Sequence, residues 1–114
     1  MITIGIDVGG STTKIVGIEN GELKSPQCIT ADNPVTSLFG AFGKYIYDNE
    51  IALSDIGQIM LTGVGSAYIK GSLYGLPTAV VDEFLANALG ASYRSGLDRM
   101  VVVSMGTGTS FIKV

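Results

Sequence analysis

Two glycine- and hydroxyl-rich turns hold the residues best suited to chemistry. Gly9-Gly10-Ser11-Thr12-Thr13-Lys14 follows the apolar run that ends in Ile6-Asp7-Val8. Such a turn directs successive backbone N–H groups into one concavity, and glycine lets a ligand approach the backbone. The hydroxyls add donors and Lys14 adds positive charge, a combination that suits phosphate oxygens. An ordinary tight hairpin has the same composition, so the turn alone does not decide. Asp7 tilts the reading. A carboxylate at the end of a buried strand is costly unless it is paired or set against a metal. Mg²⁺ bound together with phosphate commonly uses one or two carboxylates. Gly106-Thr107-Gly108-Thr109-Ser110 is a second turn of the same type, after the apolar run that ends at Met105. Two such turns, each after a buried strand, read best as a clamp on an oligophosphate.

Asp82-Glu83 stands where a short strand gives way to a helix. Acids in a first helical turn ordinarily cap it and complement its dipole. The alternative makes Glu83 a general base facing the phosphate turns. Thr62-Gly63-Val64-Gly65-Ser66 reads as a helix start, with a site-lining loop as the alternative. Tyr45, Tyr47, Tyr68 and Tyr74 read as packing residues with a wet hydroxyl edge. The single cysteine, Cys28, reads as an inert core thiol. With no histidine in the chain, Ser-His-Asp, Cys-His and HExxH chemistry are excluded. Neither GxxxxGK[ST], GxGxxG nor GxSxG occurs.

The elements that must position these residues follow from periodicity and punctuation. Ile2 to Val8 reads as a buried strand and Thr12 to Ile18 as its hairpin partner. Asn20-Gly21 is a type I′ turn signal leading to a third strand over Glu22 to Thr30. Asn33 is suited to cap a helix with Pro34 at its first position. Its stripe is Val35, Leu38, Phe39, Phe42 and Ile46, running to about Asn49. A strand over Gln58 to Thr62, a short helix over Gly65 to Lys70 and a strand over Thr78 to Val81 follow. Asp82 caps a helix with the stripe Phe84, Leu85, Ala88, Leu89 and Ser92, stopped near Gly96. Strands over Arg99 to Met105 and Thr109 to Val114 close the chain. The order β-β-β-α-β-α-β-α followed by a hairpin predicts an α/β domain with a mixed sheet.

Ile6 to Ile15 aligns with Val103 to Ile112, matching Gly9 to Gly106, Thr12 to Thr109 and Ile15 to Ile112. The hairpin therefore restarts the opening pattern, which divides the chain into a domain over 1–97 and the first hairpin of a second over 98–114. At 114 residues, 46% apolar and 15% charged, the chain is globular in composition. Its net charge of −3, with scattered Lys and Arg, argues against a nucleic-acid partner. No apolar run nears the ~20 residues that span a bilayer, so no membrane association is expected. One cysteine fits a reducing cytosol, and a cytoplasmic location is expected.

Ile4-Gly5-Ile6-Asp7-Val8-Gly9-Gly10-Ser11-Thr12-Thr13-Lys14 resembles the first phosphate motif of the actin/hexokinase/Hsp70-like ATPase superfamily. Val103 to Ser110 resembles its second. With Val81-Asp82-Glu83-Phe84 and the strand end Leu61-Thr62-Gly63, the chain is similar to the type II pantothenate kinases over its whole length. The resemblance implies a ribonuclease H-like, actin/hexokinase-type domain that binds ATP and Mg²⁺ and phosphorylates pantothenate, the first step of coenzyme A synthesis. By motif, the ATP-phosphate residues would be Asp7, Val8, Gly9, Gly10, Ser11, Thr12, Thr13 and Lys14, with Gly106, Thr107, Gly108 and Thr109. Asp7 would take Mg²⁺, and Glu83 would remove the proton of the acceptor hydroxyl. Those kinases are about twice as long, so the chain matches an N-terminal half. It is expected to be inactive alone and to associate with itself through the C-terminal hairpin or the missing half. Another kinase or ATPase of the superfamily, of the sugar-kinase or dehydratase-activator type, and a non-catalytic ATP-binding or assembly module are alternatives. Activators of 2-hydroxyacyl-CoA dehydratases share a GIDVGSTTTK-type opening, but their iron–sulfur cluster needs cysteines, and Cys28 alone argues against them.

Overall fold

The computed structural model describes residues 1–30 and 32–114. The strands are β1 (Ile2–Val8), β2 (Thr12–Glu19), β3 (Glu22–Thr30), β4 (Ile56–Thr62), β5 (Thr78–Val80), β6 (Val101–Met105) and β7 (Thr109–Lys113). The helices are α1 (Pro34–Asp48) and α2 (Glu83–Ser95), with short 3-10 turns at Leu53–Asp55 and Val64–Tyr68. The contacts divide the chain into two compact units, Met1–Val80 and Val81–Val114.

The first unit is a five-stranded mixed sheet in the order β3-β2-β1-β4-β5. β1 pairs antiparallel with β2 and parallel with β4, which pairs parallel with β5. The alternation in β1 decides its two faces. Ile2, Ile4, Ile6 and Val8 are buried, while Thr3, Gly5 and Asp7 point the other way and are only half-buried. Ile15, Ile56, Ile59 and Leu61 join the buried face, and Leu38, Ala41, Phe42 and Tyr45 of α1 complete the core. Each fully buried Ile, Leu or Phe contributes about 1.5–3 kcal/mol, so this sheet–helix contact holds the unit together. α1 begins as its residues dictate: Asn33 Oδ1 accepts from the Thr36 N–H and Pro34 fills the first helical position. The buried helix face lies on Leu38, Ala41, Phe42 and Tyr45, leaving Val35 and Phe39 of the expected stripe exposed.

Asn20 and Gly21 both take positive φ, 53° and 78°, as a type I′ turn requires. Further along the same hairpin β3 bulges, with Ser25 and Pro26 together facing Val16 across the ladder. Pro26 has no N–H to give, and the bulge interrupts the ladder bonds of β2. Tyr45 repairs this: its hydroxyl accepts from the Gly17 N–H at 2.7 Å and donates to the Lys24 carbonyl. The Tyr45 hydroxyl is therefore buried and bonded, not wet as its residue type suggests. Cys28, expected in the core, is exposed on β3.

In the second unit α2 packs on β6 and β7. The Asp82 carboxylate accepts from the Leu85 N–H at 3.0 Å, and the helix stops at Gly96. No residue of α2 is buried. Nor is β6 the buried strand its composition suggests, since its residues alternate between exposed and half-exposed. The sequence-based boundary at 97/98 follows the restart of a motif. By packing, α2 instead belongs with the hairpin that follows it. Among the described residues no helix is long and apolar enough to cross a membrane.

Candidate phosphate-binding turns

The turn after β1 is built from its last rung outward. Val8 pairs with Thr13, and the Gly9 N–H donates to the Thr12 carbonyl at 2.9 Å, closing the loop Gly9–Thr12. A Cβ on Gly9 would stand 2.6 Å from the Thr12 carbonyl oxygen, so only glycine fits this closure. Gly10 and Ser11 are exposed at the tip, and Gly9 and Thr12 are half-buried. Asp7 and Lys14 face each other in the β1–β2 register and form an ion pair at 3.5 Å. Their side chains are 34% and 57% exposed, so the pair is open to solvent and to an incoming anion or cation.

Not every residue of the expected motif presents its side chain. Val8 and Thr13 are fully buried toward α1, because strand alternation puts them on the face of Ile6 and Ile15. Thr13 shares a hydrogen bond with Ser37 of α1 instead of facing solvent. Asp7, Ser11, Thr12 and Lys14 therefore keep accessible side chains, while those of Val8 and Thr13 are framework.

The end of β4 lies against this turn. Thr62 pairs with Asp7, and the chain then passes through Gly63 at φ 91°. A Cβ at Gly63 would overlap the Asp7 carboxylate and the Val8 carbonyl. This close approach was not legible in the segment Thr62 to Ser66; the positive φ and the packing are both tertiary facts. The 3-10 turn that follows is tied by the Ser66 N–H and hydroxyl, both donating to the Gly63 carbonyl at 3.1 and 2.7 Å. Ser37 is the supporting residue that the sequence reading missed, whereas Gly63 was singled out there without its contact to Asp7. Since Ile15 is core, the i−2 alternation to Thr13 already implied a partner on the facing helix.

The second turn differs in geometry. Met105 pairs with Thr109, and the Gly106 N–H donates to the Gly108 carbonyl at 2.8 Å. Its loop is thus one residue shorter than that of Gly9–Thr12, although the sequences align without a gap. Gly106, Thr107, Gly108 and Thr109 are all exposed. Glu83 is the first residue of α2, exposed, beside the Asp82 cap. No group of three or more acidic or thiol side chains able to hold a metal occurs among the described residues. A lone strand-end carboxylate such as Asp7 suits an ion that takes most of its ligands from water and phosphate.

No protein-family model matches the chain, and no curated protein matches it. Solved structures do. The activator of the 2-hydroxyisocaproyl-CoA dehydratase from Clostridium difficile, solved with bound ADPNP, matches all of this chain with a TM-score of 0.84 and 19% identity. Component A of the (R)-2-hydroxyglutaryl-CoA dehydratase from Acidaminococcus fermentans matches all of it with a TM-score of 0.85 and 21% identity. The ROK hexokinase from Thermus thermophilus matches with a TM-score of 0.66 and 14% identity. The chain spans 41%, 43% and 46% of those three chains. The single cysteine therefore does not set this fold apart from that of the dehydratase activators. The mixed sheet, its strand order and these likenesses agree: the chain has an actin/hexokinase-type fold and spans less than half the length of these three structures.

Proposed function

We propose that the chain is the nucleotide-binding part of an ATPase or kinase of this fold, with the β1–β2 turn as its phosphate site. The observation that carries the reading is the solvent-accessible Asp7–Lys14 pair beside a turn that only glycine can close. Backbone N–H groups of Gly10, Ser11 and Thr12, the Ser11 and Thr12 hydroxyls and Lys14 would receive phosphate oxygens. Asp7 would hold Mg²⁺ through water, and the ion would supply charge neutralisation between phosphate oxygens. Gly106, Thr107, Gly108 and Thr109 form a second turn of like sequence, and by that likeness they too would offer donors to phosphate.

The reaction has two candidate forms. The fold likeness favours nucleotide hydrolysis of the dehydratase-activator type, where the TM-scores are 0.84 and 0.85. The motif likeness around Glu83-Phe84 supports transfer to a hydroxyl such as that of pantothenate, with Glu83 as the base. Titrating ¹⁵N-labelled protein with MgATP tests the common part. Saturable shifts at Gly9 to Lys14 that vanish in Asp7→Asn without Mg²⁺-dependent recovery support it; a spectrum unmoved by MgATP overturns it. Acceptor-dependent ADP formation with pantothenate would favour the kinase form, and acceptor-independent hydrolysis the ATPase form.

A further inference from the structure

Thr13 and Ser37 are two hydroxyls in an otherwise apolar seam between β2 and α1. Thr13 is fully buried, Ser37 nearly so, and each is the other's hydrogen-bond partner. Val8, Ile15, Leu38 and Ala41 belong to the same core. An apolar pair of the same shape would pack there at little net cost, because removing both partners of a buried hydrogen bond is close to neutral. What an apolar pair would lose is direction, since a hydrogen bond fixes rotamer and register where dispersion contacts do not.

The place of this bond gives that direction a use. Thr13 forms the last rung with Val8, and the loop Gly9–Thr12 hangs from that rung. Ser37 is itself anchored, its N–H donating to the Asn33 carbonyl at 2.8 Å, while the Asn33 side chain caps α1. A chain of bonds thus runs from the capped start of α1 to the root of the glycine turn. We infer that Ser37, acting through Thr13, is a positioning residue that sets the donors of the β1–β2 turn for phosphate. This rests on the phosphate reading of that turn.

The test compares Thr13→Val with Ser37→Ala in one protein, which removes both hydroxyls, against Thr13→Ser, which keeps one at the same place. Thermal melting, amide hydrogen exchange at Gly9 and NMR titration with Mg²⁺ and tripolyphosphate are read for each. The double variant is expected to melt like the parent, yet to bind tripolyphosphate about tenfold more weakly, as expected when one ordinary hydrogen bond is misaligned. Exchange at Gly9 should rise by about the same factor, and Thr13→Ser should keep parental values of both. A double variant with parental affinity and exchange overturns the inference, as does one that unfolds, which would make the pair a structural requirement. Thr13→Ser falling as far as the double variant overturns it too, because shape rather than the hydroxyl would then matter. A parent that binds no tripolyphosphate overturns the phosphate reading and the positioning role with it. Exchange at Gly9, which needs no ligand, separates that failure from failure of the clasp.

Discussion

Tyr45 shows how far residue type alone can be read. Its apolar body was legible from the sequence as packing, but its hydroxyl was not, because the partners depend on a bulge 20 residues away in β3. Cys28 and Thr13 fail in the same manner, since both lie on strands whose two faces differ in cover and only the packed helix decides which face is inside. Tyr45→Phe leaves the Gly17 N–H and the Lys24 carbonyl without their partner. The expected cost is about 1–3 kcal/mol of stability for the first unit, read by denaturant unfolding. Titration adds a second check. Burial pushes the Tyr45 phenol above its ordinary value, against the smaller opposing effects of the Gly17 bond and the Lys24 charge. A phenol raised in the folded state stabilises fully below its unfolded pKa of about 10. That contribution is lost as the pH rises through the folded value. Wild-type stability should therefore fall above about pH 10 more steeply than that of Tyr45→Phe. Parallel pH profiles would remove the burial argument.

At the scale of elements, nearly every strand and helix was legible, because each is bracketed by a residue with one local use. Asn20-Gly21 ends one strand, Asn33-Pro34 starts α1, and Asp82 and Gly96 bound α2. The 3-10 turn at Leu53–Asp55 carries no such signal and was not read; its bond from Ala52 N–H to the Asp55 carboxylate is only 2.9 Å long but uses a side chain that also suits a loop. The two glycine turns test how deep the likeness of the motifs goes. Their sequences align, yet one loop has an extra residue, and Gly9 is sterically obliged where Gly106 is not. Gly9→Ala forces a methyl against a backbone carbonyl, which cannot yield as a side-chain tip can, and should cost about 1–3 kcal/mol. Gly106→Ala meets nothing nearer than 3.9 Å and has no positive φ. It should be neutral or stabilise by about 0.4–1 kcal/mol through the unfolded chain. Melting curves of the two variants, with opposite signs expected, decide the point. Equal losses would mean that the turns share a closure.

For the whole molecule, the two units differ in how much of their apolar surface they cover. The first encloses a core of Ile, Leu, Phe and Tyr under α1, whereas the second leaves Val103, Phe111 and Met105 at 45%, 73% and 81% exposed. Composition could not distinguish them, since β6 is as apolar as β1; what differs is the number of neighbours each strand has. β1 lies between β2 and β4, while β6 and β7 pair only with each other among the described residues. A two-stranded ribbon is marginal in water, and its unpaired edges with a contiguous apolar face invite association. The 114-residue polypeptide is therefore expected to bind a hydrophobic dye and to gain mass with concentration in light scattering. Val103 and Phe111 stand opposite each other on one face of the ribbon. Replacing both with Thr keeps good strand formers while removing the central apolar pair of that face, which Val101 and Met105 flank. The double variant should lose dye binding and concentration dependence, with the melting of the first unit unchanged, because its core shares no residue with the ribbon. A wild-type chain that stays monomeric and dye-free at high concentration would mean that the apolar ribbon is satisfied within one molecule. If dye binding instead survives the double replacement undiminished, the central pair of the ribbon is not the surface that associates, and the exposed stripe of Phe84, Leu85 and Leu89 on α2 is the next to replace.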